Sequence, residues 1–326
     1  MTFRAVSALM GLSLLAVSRA SETPERSIAL TYKAVIKEIP SGTRSVEVWL
    51  PVPQDNHVQK VWDLQVSAPA RYRITRDSEY GNRFLYVRVV NPTSAAMTVE
   101  MKLKARRNEI VNRPGPAVSG PPMAVADPLL PRFLAPDRLV PLNDRVRSLS
   151  SEVVGQARDP LEKARLIYNY VLANVKYDKT GSGWGRGDLG FVCDEKRGNC
   201  TDFHALAIGM ARAQRIPAKF EIGLSIPTNA SAGSIAGYHC WAYLHFDRLG
   251  WVPIDASEAW KHPDKRDYFY GALDADRLAF SVGRDVQLVP APKDQTRANF
   301  VIYPYAEVDG KAHTTIEREI SYRDLP

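Results

Sequence analysis

Three residues in the second half of the chain have types that can share a proton: Cys200, His239 and Asp255. Cys200 lies in RGNCTDFHAL, between a Gly198-Asn199 turn and a run of good helix formers reaching about Gln214, with Phe203, Leu206, Ala207, Met210 and Ala211 on one side. With Asn199 as N-cap, the thiol falls in the first helical turn. Amide N–H groups and the helix dipole there stabilise a thiolate and can bind a developing oxyanion. His239 follows 39 residues later in GYHCWAYL, and Asp255 another 16 residues on in GWVPIDASEA. Both runs read as strands, with Asp247-Arg248-Leu249-Gly250 as the hairpin turn between them. A thiol, a base to take its proton and a carboxylate to orient the imidazole are what acyl transfer requires. An isolated cysteine is ordinarily an inert buried hydrophobe, so the base beside it decides the matter.

Other residues compete for these roles. A two-residue turn at Arg248-Leu249 would set His239 opposite Glu258 and turn Asp255 to the other face. A bulge or a loop one residue longer restores Asp255, which stands first with Glu258 as the alternative carboxylate. His204 is one helical turn from Cys200 on the same face and is a rival base, although a packed histidine is its plainer role. Trp184, in the loop GSGWGRGD of residues 181–188, has an indole N–H suited to an oxyanion, whereas loop aromatics more often line a groove. That loop lacks the spacing of a phosphate cradle. Of the remaining cysteines, Cys240 alternates with His239 and is expected to face away from the active side. It is free to pair with Cys193, and a masking Cys193–Cys200 bond is a further alternative. No CxxC pair and no His/Glu cluster at ligand spacing is present, so neither a metal site nor a cofactor is expected.

These residues need a scaffold. From about Ser27 to Val111 apolar residues alternate with polar ones, as at Val46, Val48, Leu50 and Val52 and at Val99, Met101 and Leu103. Such period-two runs, broken by Tyr80-Gly81-Asn82 and Asn91-Pro92-Thr93-Ser94, predict a β-sandwich of about seven strands over residues 21–111. Residues 112–137, which contain NRPGPAVSGPPM, read as a Pro/Gly-rich linker. After it the period becomes helical. Asn143-Asp144 predicts a helix to about Ala157, and Asp159-Pro160 opens another.

The stretches GNCTDFHALA, GYHCWAYL and GWVPIDASEA resemble the three motifs of the transglutaminase-like superfamily, over roughly Leu161 to Lys261. The resemblance implies an α+β fold: an N-terminal β-sandwich followed by a papain-like core in which the helix bearing the cysteine packs on an antiparallel sheet. It assigns residues 138–326 to that core with a C-terminal β extension. It also implies that Cys200 is the nucleophile, His239 the base and Asp255 the orienter. With Gly283-Arg284-Asp285 and Tyr303-Pro304-Tyr305-Ala306-Glu307 included, the whole chain resembles exported bacterial proteins carrying this domain.

The N-terminus agrees with export. Met1 to Arg4 is short and positive, Ala5 to Val17 is apolar, and Ser18-Arg19-Ala20 offers small residues for cleavage after Ala20. The run is too short to span a bilayer. Net charge is +7, or +5 once Arg4 and Arg19 leave with the leader, without a clustered basic face, which excludes a nucleic-acid footprint. The expectation is a periplasmic or secreted thiol enzyme acting on peptide, protein or cell-wall amides, as hydrolase or acyltransferase. The competing class is a catalytically silent binding module on the same fold.

Overall fold

The computed structural model describes residues 24–114, 127–295 and 297–326. The expected leader, residues 1–20, lies outside them, as does the middle of the expected linker. The fold is α+β.

The alternating run Glu25–Ile36 forms a strand that buries Ile28, Leu30, Tyr32, Ala34 and Ile36 on one face. It pairs antiparallel with Met97–Asn108, whose Val99, Met101, Leu103 and Ala105 join the same core. A second sheet is centred on Ser45–Val52, with Val46, Val48, Leu50 and Val52 facing that core. Each sheet has five strands. The N-terminal segment supplies six of the ten, where about seven strands were expected to close a sandwich alone.

The remainder come from far along the chain. Strand Ile316–Asp324 lies beside Glu25–Ile36, pairing Tyr32 with Ile320. Strand Tyr305–Val308 lies beside Ser45–Val52, pairing Trp49 with Tyr305, and Lys311–His313 and Ala232–Ser234 complete the edges. Residues 305–324, read in sequence as an extension of the core, are therefore integral to the N-terminal sheets. The physical reason is burial: Leu30, Tyr32 and Val48 face a core that the six N-terminal strands cannot enclose. The outer face of Ser45–Val52 is covered as well. Trp49 is fully buried against Phe133, Val286 and Leu288, and its indole N–H donates to Pro290 O at 2.9 Å.

The other half is built on a four-stranded antiparallel sheet in the order Gly250–Ile254, His239–Phe246, Ala218–Ser225, Arg277–Val282. Helix Cys200–Ala213 packs on it and is buried on all sides from Cys200 to Arg212. Helices Asp144–Val154, Pro160–Asn174 and Leu189–Glu195 enclose it. The first two begin where the capping residues predict: Asn143 Oδ1 accepts from the Val146 amide at 3.1 Å, and Asp159 Oδ1 from Leu161 at 3.1 Å. Among the described residues no helix is long and apolar enough to cross a membrane.

Because both sheets of the sandwich depend on strands 305–308 and 316–324, a fragment of residues 21–111 is expected to remain unfolded. Far-UV circular dichroism and a thermal scan check this; a cooperative transition in that fragment would contradict it.

Candidate active site

Helix Cys200–Ala213 starts where it does because its first turn is doubly capped. Asn199 Oδ1 accepts from the Thr201 amide at 2.9 Å, and Asp202 Oδ2 returns to the Asn199 amide at 2.9 Å. The Asp202 carboxylate also accepts from the amides of Gly185 at 2.7 Å and Gly187 at 3.0 Å, tying the glycine-rich loop to the helix start. Gly198 is required just before the cap. It has φ +152°, and a Cβ there would stand 2.2 Å from Asp202 Oδ2. Arg284, fully buried, holds the loop from its other side through the Gly187 and Arg186 carbonyls, both at 2.8 Å.

Cys200 is thus the first residue of the helix, 2% exposed, with an amide N–H that has no intrahelical acceptor. Its thiol lies beside His239, near enough for each group to favour the charged form of the other. His239 opens strand His239–Phe246 and reaches the thiol from the strand's end. Its Nε2–H donates to Asp255 Oδ2 at 2.6 Å, which leaves Nδ1 for the thiol proton. Asp255 follows strand Gly250–Ile254 and caps helix Ala256–Lys261, accepting from the Glu258 amide at 2.9 Å. The structure therefore brings Cys200, His239 and Asp255 together, with the imidazole hydrogen-bonded to the carboxylate and beside the thiol.

Register decides which carboxylate meets the imidazole. Phe246 pairs with Gly250 and Ala242 with Ile254, so the hairpin loop has three residues, Asp247 to Leu249. Gly250, at φ +66°, absorbs the extra residue. That register carries Asp255 opposite Trp241, on the same side as His239. Glu258 stands off at 3.9 Å from His239 Nε2 and is occupied by Lys261 at 2.7 Å.

His204 is not the partner of the thiol. Its Nε2 accepts from the Ala256 amide at 3.2 Å, so Nδ1 carries the hydrogen and donates to the Cys200 carbonyl at 2.7 Å. Burial holds its pKa below the ordinary histidine value, although Asp255 Oδ1 lies 3.7 Å away. It is a neutral strut between the helix start and the turn that presents Asp255. Trp184 also differs from expectation. Its indole N–H is committed to Gly181 O at 3.0 Å within its own loop and is not offered to an oxyanion.

Cys240 corrects a further expectation. Strand alternation does separate it from His239, but the helix covers the face of Cys240, Ala242 and Leu244, so Cys240 faces Cys200 rather than away from it. Its Sγ lies 3.6 Å from Nδ1 of His204, the same atom that meets the Cys200 carbonyl at 2.7 Å. All three cysteines are free thiols. Cys193 lies in another environment, beside Lys196, Arg145 and Asp194.

Arg277 escaped the sequence reading. From strand Arg277–Val282, fully buried, it donates through Nη1 to Asp255 Oδ2 at 2.6 Å, the same oxygen that receives His239. Nη2 meets Asp274 at 3.0 Å, and the guanidinium lies over Trp241 and Phe269. An arginine 22 residues beyond the carboxylate carries no local signal; only sheet order places it there.

The charge states follow. Burial raises the Asp255 pKa, but the charges of His239 and Arg277 outweigh it and hold the carboxyl well below its ordinary range. Burial likewise opposes charge on His239, yet Asp255 and Cys200 lift it to about 9. For Cys200, burial is overcome by hydrogen bonds from Cys240 and His239 and by the imidazolium charge, so the thiol ionises well below its free value. The three shifts run in one direction: each favours the charged form of its group, thiolate at Cys200, imidazolium at His239 and carboxylate at Asp255. A cavity of about 410 Å³ borders this chain, lined by Glu258, His262, Lys265, Tyr268, Asp274 and Arg277 among others. A larger one, about 610 Å³, runs along Ile316–Ser321 and contains none of these groups, so size does not make it the reacting site. No group of three or more His, Cys, Asp or Glu among the described residues is arranged to hold a metal ion.

The comparisons agree with this architecture. Residues 147–256 match the family model of the transglutaminase-like superfamily, about a third of the chain. A "putative cysteine protease" from Cytophaga hutchinsonii, 15% identical, superposes with a TM-score of 0.61, covering 93% of this chain and 92% of that one, which establishes the shared fold. An uncharacterized protein of Haemophilus influenzae is 24% identical over 316 residues, covering 86% of this chain and 85% of its own. The chain is thus of a fold compatible with thiol-dependent chemistry.

Removing the Arg277 charge leaves two buried anions facing one cation, so the site should bind protons more tightly. In Arg277→Met the pH at which Cys200 becomes alkylatable is expected to move up, and Arg277→Lys should restore it towards wild type. A pH series of iodoacetamide labelling reads this; identical profiles in all three proteins would show that the guanidinium does not tune the chain.

Proposed function

We propose that the protein is a thiol acyl-transfer enzyme of the bacterial envelope, with Cys200 as nucleophile, His239 as acid and base and Asp255 as orienter. The observation that carries the reading is the buried hydrogen bond of His239 to Asp255 at 2.6 Å with the Cys200 thiol beside the imidazole, a charge arrangement that favours the thiolate. The thiolate attacks an amide or ester carbonyl, and the Cys200 amide at the helix start receives the developing oxyanion. The imidazolium gives its proton to the departing amine. An acyl-enzyme remains, and His239, now neutral, activates the water or amine that releases the acyl group.

Peptide or cell-wall amides are the proposed substrates, with hydrolysis as the default outcome because water is the abundant acceptor. The cavity bordered by Glu258 and Arg277 is the proposed groove for the chain of the substrate. Export by residues 1–20, with cleavage after Ala20, places this activity outside the cytoplasm. The alternative, a silent binding module, leaves unexplained why a buried thiol, imidazole, carboxylate and guanidinium are kept in mutual contact, an arrangement that apolar residues of similar volume would replace without loss of stability.

The reading makes two linked predictions. Cys200 is expected to alkylate well below the free-thiol value of about 8.5, and His239→Ala should slow that reaction at neutral pH. With an amide substrate in hand, His239→Ala should cost about 10²–10⁴-fold in acylation, Asp255→Asn should follow it in direction, and Glu258→Gln should cost less than either. The sign with pH follows from the two shifts: reactivity appears as pH rises through the depressed Cys200 value, and amine expulsion fades as pH passes about 9, where His239 loses its proton. A Cys200 that titrates like a free thiol and is indifferent to His239 would sink the enzymatic reading.

A further inference from the structure

The mechanism above has no covalent use for Cys240, yet this second thiol lies against the nucleophile. We infer that Cys240 is a resolving cysteine: peroxide oxidation of Cys200 is captured as a reversible Cys200–Cys240 disulfide that masks the nucleophile and protects it from over-oxidation. The inference rests on the proposed thiolate character of Cys200.

Three observations place the pair. Cys200 begins the buried helix and Cys240 lies on the sheet face that this helix covers, both thiols within one buried cluster. Both also flank His204, whose Nδ1 is 2.7 Å from the Cys200 carbonyl and 3.6 Å from Cys240 Sγ. Bond formation therefore needs a local approach of the two sulfurs to about 2.05 Å between elements already packed together, without a loop having to travel. The two sulfurs are also chemically unlike. Burial and the neighbouring Cys200 charge favour the protonated form of Cys240. One thiol is ready to be oxidised and the other is ready to resolve it.

Access selects the oxidant. Cys200 is 2% exposed and Cys240 is fully buried, so a protein disulfide donor does not reach them, whereas hydrogen peroxide is scarcely larger than water. In the first step the Cys200 thiolate attacks one peroxide oxygen. An S–O bond forms, the O–O bond breaks, sulfur loses two electrons and hydroxide leaves. In the second, Cys240 sulfur attacks the sulfenic sulfur. The S–S bond forms, the S–O bond breaks, and hydroxide departs with the Cys240 proton as water. An external dithiol reverses the reaction. Cys193, beside Lys196 and Arg145, takes no part.

The test uses the reduced full-length mature protein treated with hydrogen peroxide, followed by thiol counting, non-reducing peptide mapping and iodoacetamide labelling of Cys200. Wild type is expected to fall from three free thiols to one, yield a Cys200–Cys240 linked peptide, lose more than about 90% of its Cys200 labelling and recover it with dithiothreitol. Cys193→Ala should behave the same way with one thiol fewer. Cys240→Ala should instead progress to sulfinic acid at Cys200 and not recover. A Cys193–Cys200 link, or sulfinic acid at Cys200 in the wild type without a disulfide, overturns the inference. So does a Cys200 that peroxide leaves untouched; the labelling of the protein before oxidation then shows whether the thiolate reading has fallen with it or stands alone.

Discussion

The arrangement depends on a carboxylate that never meets water. Asp255 is fully buried, and an ionised carboxylate in such a place is stable only if its lone pairs are filled and its charge is balanced. Oδ2 receives His239 and Arg277, while Oδ1 receives the Ser257 hydroxyl at 2.9 Å and the Glu258 amide at 2.9 Å. With Cys200 ionised, two anions and two cations stand in one buried chain. Each charge is the reason another is tolerable. Arg277 is the member that makes the total neutral, and its competition for Oδ2 tempers the pull of Asp255 on the imidazole.

The rest of the fold serves this chain by fixing backbones rather than by adding groups. The glycine-rich loop is clamped between Asp202 and Arg284, so the helix start cannot drift from the surface above it. His204 ties the carbonyl of Cys200 to the amide of Ala256, and so couples the helix of Cys200 to the turn that presents Asp255. Arg277 comes from the strand at the far edge of the sheet, whose neighbour Ala218–Ser225 is held by the strand of His239. The sandwich and the core are joined at the chain's return, where Arg26 of the first strand meets Asp276 at 2.7 Å and Asp324 at 3.0 Å. Sheet pairing and active-site electrostatics are therefore one structural problem.

What was legible in the sequence was whatever is encoded locally. Helix caps at Asn143, Asp159 and Asn199 rest on side chains adjacent to the helices they start, and each caps its helix as expected. The alternating strands likewise announced themselves through a period that burial imposes. Partners set by long-range pairing were not legible. Strand Ile316–Asp324 is mostly exposed on its outer side, so its sequence carries little apolar pattern, and only the gap beside Glu25–Ile36 explains where it goes. Arg277 was invisible for the same reason. Cys240 was misplaced because alternation says that two residues face opposite ways but does not say which face a helix will cover.

The three-residue hairpin loop shows how narrow the margin is. With Phe246 paired to Gly250, Asp255 arrives on the side of His239; with one residue fewer, Glu258 would take that place. The two carboxylates are not equivalent. Asp255 sits at a helix start with a hydroxyl and an amide filling its second oxygen, whereas Glu258 lies on the helix, partly exposed and paired with Lys261. A carboxylate held by a lysine in contact with solvent polarises an imidazole weakly, because water screens it and its side chain is free to turn. The extra loop residue and the positive φ of Gly250 thus do more than shape a turn. They set a fully buried carboxylate, rather than a partly exposed one, against His239, and that choice determines how much carboxylate charge acts on the imidazole.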